Sequence, residues 1–481
     1  MISGNEYLER ISRLKDNVYM NGKKIKRNDP ALMPGVRVVQ LTYELASDPK
    51  YAHLFTAKGH LSGKIINRFT HIHQSPEDLL AKIEMTRVGV QRTGFCIQRC
   101  MGVDAMNALS VVAKEMDDAS GSEYYQRFLN YLKYWQDNDI SGCSAQTDTK
   151  GNRRLRPHEQ TDPDQHLRIV ERKKDGIVVR GAKIHTTMGV YSEEVIAIPT
   201  RTLTKEESDW AVAVAVPADT KGLYMINRAS APRERIYLKS PAGSYGTSDS
   251  FTVFDNVFVP WERVFMAGEY QFAGRLALLF ALYHRHSYCG CKPGVSDVIM
   301  GFSALMAEYN GVAKAPHISY KLADLIEVAE LIYAAGIAAS VKSEKATSGT
   351  QIPNVVYANV GRRHAGENIY HENSVLADIA GGIPATLPFE EDFFAPETSS
   401  FLNKYLARDE NICVEAQHRC IRTISDMLCS SFGGVYQVAG VHGGGSPIME
   451  TIALLSTYDL KARMQIARYL SGITDEVIRK K

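Results

Sequence analysis

The chain has 481 residues, 44% of them hydrophobic and 23% charged, with a formal net charge of +2. This is ordinary for a globular protein with room for two or three domains; the balance gives no general attraction to nucleic acid, and no basic run with interleaved aromatics offers an RNA or DNA surface. No apolar run of about 18 residues exists to span a bilayer, and the charged, amphipathic N-terminus has no signal-peptide core, so a cytoplasmic protein with no membrane partner and reduced thiols is expected.

Residues 1–140 alternate apolar and polar side chains at helical spacing, as in EYLERISRLKDNVYM and SEYYQRFLNYLKYWQDND, which predicts an all-helical first domain. Ser75-Pro76-Glu77 is a helix start, with Ser75 as N-cap and proline at the first helical position, and that helix is expected to run on and deliver Cys96 and Cys100. From 141 to 265 the period becomes two, in GIVVRGAKIHTT, WAVAVAVPA and SFTVFDNVFVP, with Asp175-Gly176 as a hairpin turn; this predicts a middle β domain. Residues 266–481 return to helical spacing over Phe272–Ala307, Lys321–Val341, Ser399–Val438 and Pro447–Ile473, a C-terminal helical bundle. The fold class is mainly α with a β middle domain.

The polar residues of the bundle's first helix are not scattered. His284, Tyr288 and Cys291 stand at i, i+4 and i+7, and Lys292 at i+8, so they share one face, whereas Cys289 is turned about 140° from His284 on an ideal helix. Cys96 and Cys100 add a second pair of soft ligands. Any one of these is most often a core residue, and Cys143, Cys413, Cys420 and Cys429 are read that way. Two segments far apart in sequence, each with spaced ligands, point instead to a Cys3His centre with a tyrosine and a lysine beside it.

In CIQRC (96–100), RGAKIHTT (180–187), FDNVFVP (254–260), HRHSYCGCK (284–292), DIAGG (378–382) and HGGGSP (442–447), the chain resembles the 4-hydroxybutyryl-CoA dehydratase/vinylacetyl-CoA isomerase family, itself related to flavin-dependent 4-hydroxyphenylacetate 3-hydroxylases. The resemblance runs through nearly the whole chain in order. It implies an acyl-CoA dehydrogenase-like fold, FAD, and a [4Fe-4S] cluster on Cys96, Cys100, His284 and Cys291. It also implies His284 as base, Tyr288 as hydrogen-bond donor, Lys292 as positive charge beside the cluster, and Gln98 and Asp249 near the substrate. Flavin contacts carry over onto Gln146, Thr147, Asp148, Lys150, Arg153, His185, Thr187, Gly381, Gly382, His442 and Gly443. An acyl-CoA substrate and a homotetramer follow from the same resemblance. Read without it, the loop QTDTKGNRR is a weak phosphate or flavin signal and the glycine clusters are ordinary turns.

Two positions depart from the family, which carries glutamate five residues before FDNVF and three residues before HGGGSP; here they are Asp249 and Ala439. The expectation is a radical 1,2-elimination from a related 4-substituted acyl-CoA, with Glu450 a possible substitute for the missing acid. The alternative is a reduced-flavin aromatic monooxygenase of the 4-hydroxyphenylacetate 3-hydroxylase type, with the thiols incidental.

Overall fold

The structure, a computed structural model, describes residues 1–473; residues 474–481, the end of the expected C-terminal bundle, lie outside the described residues. The N-terminal segment forms α1 (Gly4–Arg13), α2 (Met33–Ser47), α3 (Ala52–Phe55), α4 (Pro76–Thr93), α5 (Cys100–Ser120) and α6 (Tyr124–Asp137). It is not all helical. Strands β1 (Val18–Met20) and β2 (Lys23–Ile25) form a hairpin, as do β3 (Thr56–Lys58) and β4 (Ile65–Asn67). These three-residue strands are too short for an alternating pattern to register.

The middle segment supplies β5 (Gly142–Ala145), β6 (Arg168–Arg172), β7 (Gly176–Thr187), β8 (Glu194–Ala197), β9 (Val212–Pro217), β10 (Leu223–Ser230), β11 (Thr247–Pro260) and β12 (Val264–Ala267). They make a six-stranded sheet in the order β2-β1-β10-β11-β7-β6 and a four-stranded sheet in the order β12-β9-β8-β5. Because β1 pairs in parallel with β10, the N-terminal segment completes the larger sheet. The turn at Asp175-Gly176 joins β6 to β7, closed by Lys173 N donating to Gly176 O at 2.8 Å.

The C-terminal segment forms α7 (Tyr270–Tyr309), α8 (Pro316–Val341), α9 (Val355–Glu367), α10 (Ile369–Ala380), α11 (Ile383–Thr386), α12 (Glu390–Phe394), α13 (Ser399–Tyr405), α14 (Val414–Leu428), α15 (Ser431–His442), α16 (Pro447–Thr457) and α17 (Leu460–Leu470). The expected Ser399–Val438 helix is thus three helices and the expected Pro447–Ile473 helix two. Asp459 caps the last of these through a bond from Ala462 N at 2.8 Å. Helix α7 packs against α4, α5, α8, α9 and α10, and nearly every side chain from Leu282 to Ser296 is buried, so its polar residues need partners on all sides.

Ser75 caps α4 by accepting from Asp78 N, with Pro76 following, but the helix stops at Thr93 because Gly94 turns left-handed at φ 87°. Cys96 therefore sits in a turn, and Cys100 opens the next helix. The crossing of α4 and α7 is made by glycine. A Cβ on Gly294 would lie 2.7 Å from the Arg87 carbonyl oxygen, and one on Gly290 would overlap the Ile83 carbonyl outright. Gly301, on the exposed side of the same helix, has nothing within 4 Å of its missing Cβ. Gly301→Ala should therefore raise stability by about 0.5–1 kcal/mol, the ordinary helical gain. Gly290→Ala should lose about 1–3 kcal/mol to overpacking despite that gain. Thermal and chemical unfolding of the two variants reads the difference; equal stabilisation would mean that α4 and α7 do not meet at this crossing.

Candidate functional site

The turn between α4 and α5 is fixed by its own side chains. Gln98 has φ 61° and is buried; its amide nitrogen donates to Gly246 O at 3.0 Å, and its carbonyl oxygen accepts from the Tyr191 hydroxyl. Its backbone N–H points at Cys96 Sγ, 3.4 Å away. Gln98 is thus a buried strut with both ends of its amide occupied. The thiols of Cys100 and Cys291 donate toward Cys96, which holds Cys96 well below the usual thiol range and pushes the other two up. Three sulfurs from a turn, a helix start and the middle of α7 thus meet.

His284 completes the group: ligand atoms of Cys100, Asp104 and His284 all lie within 4.8 Å of one another. The imidazole Nδ1 is 3.0 Å from Asp104, and its ring stacks on Phe280 at 5.9 Å and meets Tyr288 edge-on at 5.4 Å. The Tyr288 hydroxyl donates to Ala439 O at 3.5 Å, and its ring lies under the Arg362 guanidinium at 4.6 Å. Gly443 presses so closely on that hydroxyl that a Cβ there would collide with it. Lys292 is buried and bound to Glu372, to which Ser296 also donates, so its ammonium is neutralised within the bundle. Cys289 faces away, with Sγ 3.4 Å from Arg285 O, in an apolar cluster with Val328, Ile332 and Ala365.

Asp249 on β11 accepts from the Thr187 hydroxyl at 2.6 Å. Burial holds its carboxyl above the ordinary range, against that bond and nearby His185, and the Cys96 charge adds to the rise. Thr187 thereby links β7 to the thiol site. Farther along, Asp148 is held by Lys183 at 2.7 Å and Thr200 at 2.6 Å, while Gln146 donates to Ala277 O at 3.1 Å and Thr147 O accepts from Ile184 N at 2.8 Å. These bonds pin the 146–149 segment to the end of β7, and Lys150, Arg153 and His185 are exposed. Gly381 and Gly382 are exposed at the end of α10, and His442 is exposed beside Gly443.

Several residues of the site carry no periodic or motif signal. Asp104 and Lys82 are fully buried beside His284. Tyr436 is pushed well above the usual phenol range by burial and by Cys291, Cys96 and Tyr288. Arg362 and Arg285 hold the carbonyls of the 440–445 segment, at 2.7 Å for Gly443 and 2.8 Å for Gly444. Each is a long polar side chain inside a helix that reads from sequence as a solvated face; only the apolar neighbours of Lys82 and Asp104 hinted otherwise.

Family models described as "4-hydroxyphenylacetate 3-hydroxylase N terminal" and "C terminal" match residues 3–266 and 273–472. The 4-hydroxybutyryl-CoA dehydratase/vinylacetyl-CoA-Delta-isomerase of Clostridium aminobutyricum is 39% identical, over 98% of this chain and 100% of its own. The oxygenase component of 4-hydroxyphenylacetate 3-monooxygenase of Thermus thermophilus is 28% identical, over 95% of this chain and 94% of its own. Among solved structures, an oxygen-tolerant archaeal 4-hydroxybutyryl-CoA dehydratase from N. maritimus superposes with a TM-score of 0.94 at 37% identity, over 99% of this chain and 96% of that one. An HpaB–FAD complex superposes at 0.88 with 24% identity, over 98% of each chain, and so shares the fold. Butyryl-CoA dehydrogenase from Megasphaera elsdenii is a distant match at 0.50 with 16% identity, over 94% of this chain and 97% of that one. With its motifs in order and its length covered end to end, the chain belongs to the 4-hydroxybutyryl-CoA dehydratase/vinylacetyl-CoA isomerase family, within the wider group of 4-hydroxyphenylacetate 3-hydroxylase-type proteins.

Proposed function

We propose that this protein is a flavin- and [4Fe-4S]-dependent acyl-CoA lyase that removes a leaving group from a 4-substituted acyl-CoA to give an enoyl-CoA, with vinylacetyl-CoA isomerase activity. The observation that carries this reading is the meeting of Cys96, Cys100, Cys291 and His284 at one buried point. Three thiols and an imidazole are the soft donor set that suits an iron–sulfur cluster. The pinned 146–149 segment, together with Lys150, Arg153, His185 and Thr187, supports FAD, as does the HpaB–FAD relative. A single cytoplasmic domain series of 1–140, 141–265 and 266–481, arranged as in acyl-CoA dehydrogenases, belongs to the same proposal. So does a homotetramer: α17 has no buried residue and shows Leu460, Met464, Ile466 and Leu470 at its surface.

When bound, the flavin would supply one-electron chemistry and the cluster a Lewis-acid site for the departing oxygen. The chain's own residues then have divided tasks. His284 would help hold the cluster through Nε2 and is also the imidazole placed to take a substrate proton. Tyr288, oriented by Arg362 and Gly443, donates a hydrogen bond at the rim. Asp249, its carboxyl raised above the ordinary range by burial, stands on the β-sheet side. Lys292 and Glu372 neutralise each other and hold α7 to α10. Tyr436 and Phe95, 6.0 Å apart, help exclude water.

Two measurements test the reading. Cys291→Ala should remove most of the iron and acid-labile sulfide from anaerobically purified protein, whereas Cys289→Ala should leave both unchanged, because its thiol faces an apolar cluster. Iron lost from Cys289→Ala instead, or equally from both variants, would overturn the ligand choice, and turnover that needs dioxygen and a flavin reductase would replace the lyase with the aromatic monooxygenase.

The second concerns substrate. Asp249 carries its charge one methylene short of a glutamate, and Ala439 carries none; a misplacement of about 1 Å can cost on the order of a hundredfold in rate. Dehydration of 4-hydroxybutyryl-CoA should therefore be at least about tenfold faster in Asp249→Glu/Ala439→Glu than in wild type. Efficient wild-type turnover with no gain in the double variant would return the enzyme to the unmodified substrate.

A further inference from the structure

Asp104 lies one turn after Cys100 and is fully buried. Its carboxylate is completely engaged. One oxygen takes the Lys82 ammonium and the Ser287 hydroxyl at 3.2 Å; the other faces His284 Nδ1 at 3.0 Å and the same hydroxyl at 3.1 Å. Lys82, itself without exposure, has a second contact to Tyr283 O at 3.4 Å and sits 5.7 Å over the Tyr283 ring. Three helices, α4 through Lys82, α5 through Asp104 and α7 through Ser287 and His284, converge on this one carboxylate.

Geometry alone would allow Asp104 to be a metal ligand, since its oxygen lies with Cys100 and His284 inside 4.8 Å. Its hydrogen bonds argue otherwise. With both oxygens occupied by three donors, no oxygen is left to turn toward the thiols without breaking a buried ion pair. The imidazole is in the opposite position. Its Nδ1–H is committed to Asp104, its faces are held by Phe280 and Tyr288, and the backbone at Gly444 closes over it, a Cβ there lying 3.3 Å from Cδ2. Only Nε2 remains free to bind.

We propose that Asp104 is a positioning residue, held by Lys82 and Ser287, that fixes the tautomer and ring angle of His284 so that Nε2 alone is presented to the iron–sulfur cluster. The proposal rests on the cluster assignment above and adds the device that orients its one non-sulfur ligand. Such partners of a metal-bound histidine set its orientation, and losing one weakens metal binding by about 10–100-fold.

The test uses anaerobically purified holoenzyme and two readouts besides activity: the chelator concentration that strips half the iron, and the nitrogen hyperfine coupling of the imidazole in pulsed EPR of the reduced cluster. Asp104→Asn should strip at about 10–100-fold lower chelator concentration with the coupling lost or altered. Ser287→Ala, which keeps the carboxylate but frees it to turn, should fall between it and wild type. Should Asp104→Asn not fold, Lys82→Met/Asp104→Asn removes both charges together and must show the same two changes. Folded variants with wild-type coupling and wild-type iron retention would overturn the role of Asp104 while leaving the cluster in place. A wild-type enzyme without iron or nitrogen coupling would overturn both it and the proposed lyase.

Discussion

Everything at the site depends on how closely α7 crosses α4. Gly290 and Gly294, one turn apart, let the backbone of α7 rest on the carbonyls of Ile83 and Arg87, which are also one turn apart. A Cβ at either position would push the helices apart. That separation would be felt at the end of α4, where the chain turns through Gly94 into Cys96, and on α7, where Cys291 lies between the two glycines. Small residues are often read as helix weakeners. Here their absence of side chain sets the distance between two halves of a ligand set that are remote in sequence.

The second constraint is electrostatic. A helical stretch buried on nearly all sides, as Leu282–Ser296 of α7 is, cannot leave its polar residues unpaired, and it carries His284, Arg285, His286 and Lys292 through the core. Each has a partner from a different element: His284 with Asp104 of α5, Arg285 with Glu450 of α16 at 3.4 Å, His286 with Ser340 of α8 at 2.8 Å, and Lys292 with Glu372 of α10. Buried pairs add little net stability over apolar packing, yet removing one partner costs about 3–5 kcal/mol. Their effect is to fix the rotation of α7 about its own axis. Rotation decides which side chains face the thiols, so the ion pairs and the site geometry are one arrangement.

The sequence reveals this site unevenly, for physical reasons. The phase of α7 is legible because a 40-residue helix keeps its period over many turns, and Cys289 and Cys291 separate onto different sides as helical geometry requires. The Ser75 cap and the Asp175-Gly176 turn are legible because they are local. The expected continuation of α4 to Cys100 does not form, because Gly94 ends the helix and CIQRC, helical in spacing, runs through the connection into α5. Strands β1 to β4 escaped because three residues carry no period. Asp104, Lys82, Arg362 and Glu450 carry no local signal because burial of a charge is decided by a partner on another element, 22 residues away for Lys82 and Asp104 and 180 for Asp104 and His284, which no local pattern contains.

Glu450 shows how the interior and the rim differ. As the nearest acid following Ala439 it is a natural substitute for a carboxylate at that position. Its side chain is fully buried and its carboxyl is raised by burial, with Arg362 and Arg285 pulling against that rise. Those same guanidinia hold the 440–445 carbonyls, and a Cβ on Gly445 would lie 3.1 Å from a Glu450 oxygen. Glu450 is thus the counter-ion beneath the glycine segment, whereas Ala439 is exposed on the other side, where its carbonyl meets Tyr288. Moving the Glu450 carboxylate across would leave two buried guanidinia uncompensated and release the segment that positions Tyr288. The acid missing at 439 therefore cannot be borrowed from 450 without dismantling the ion pairs beneath the glycine segment.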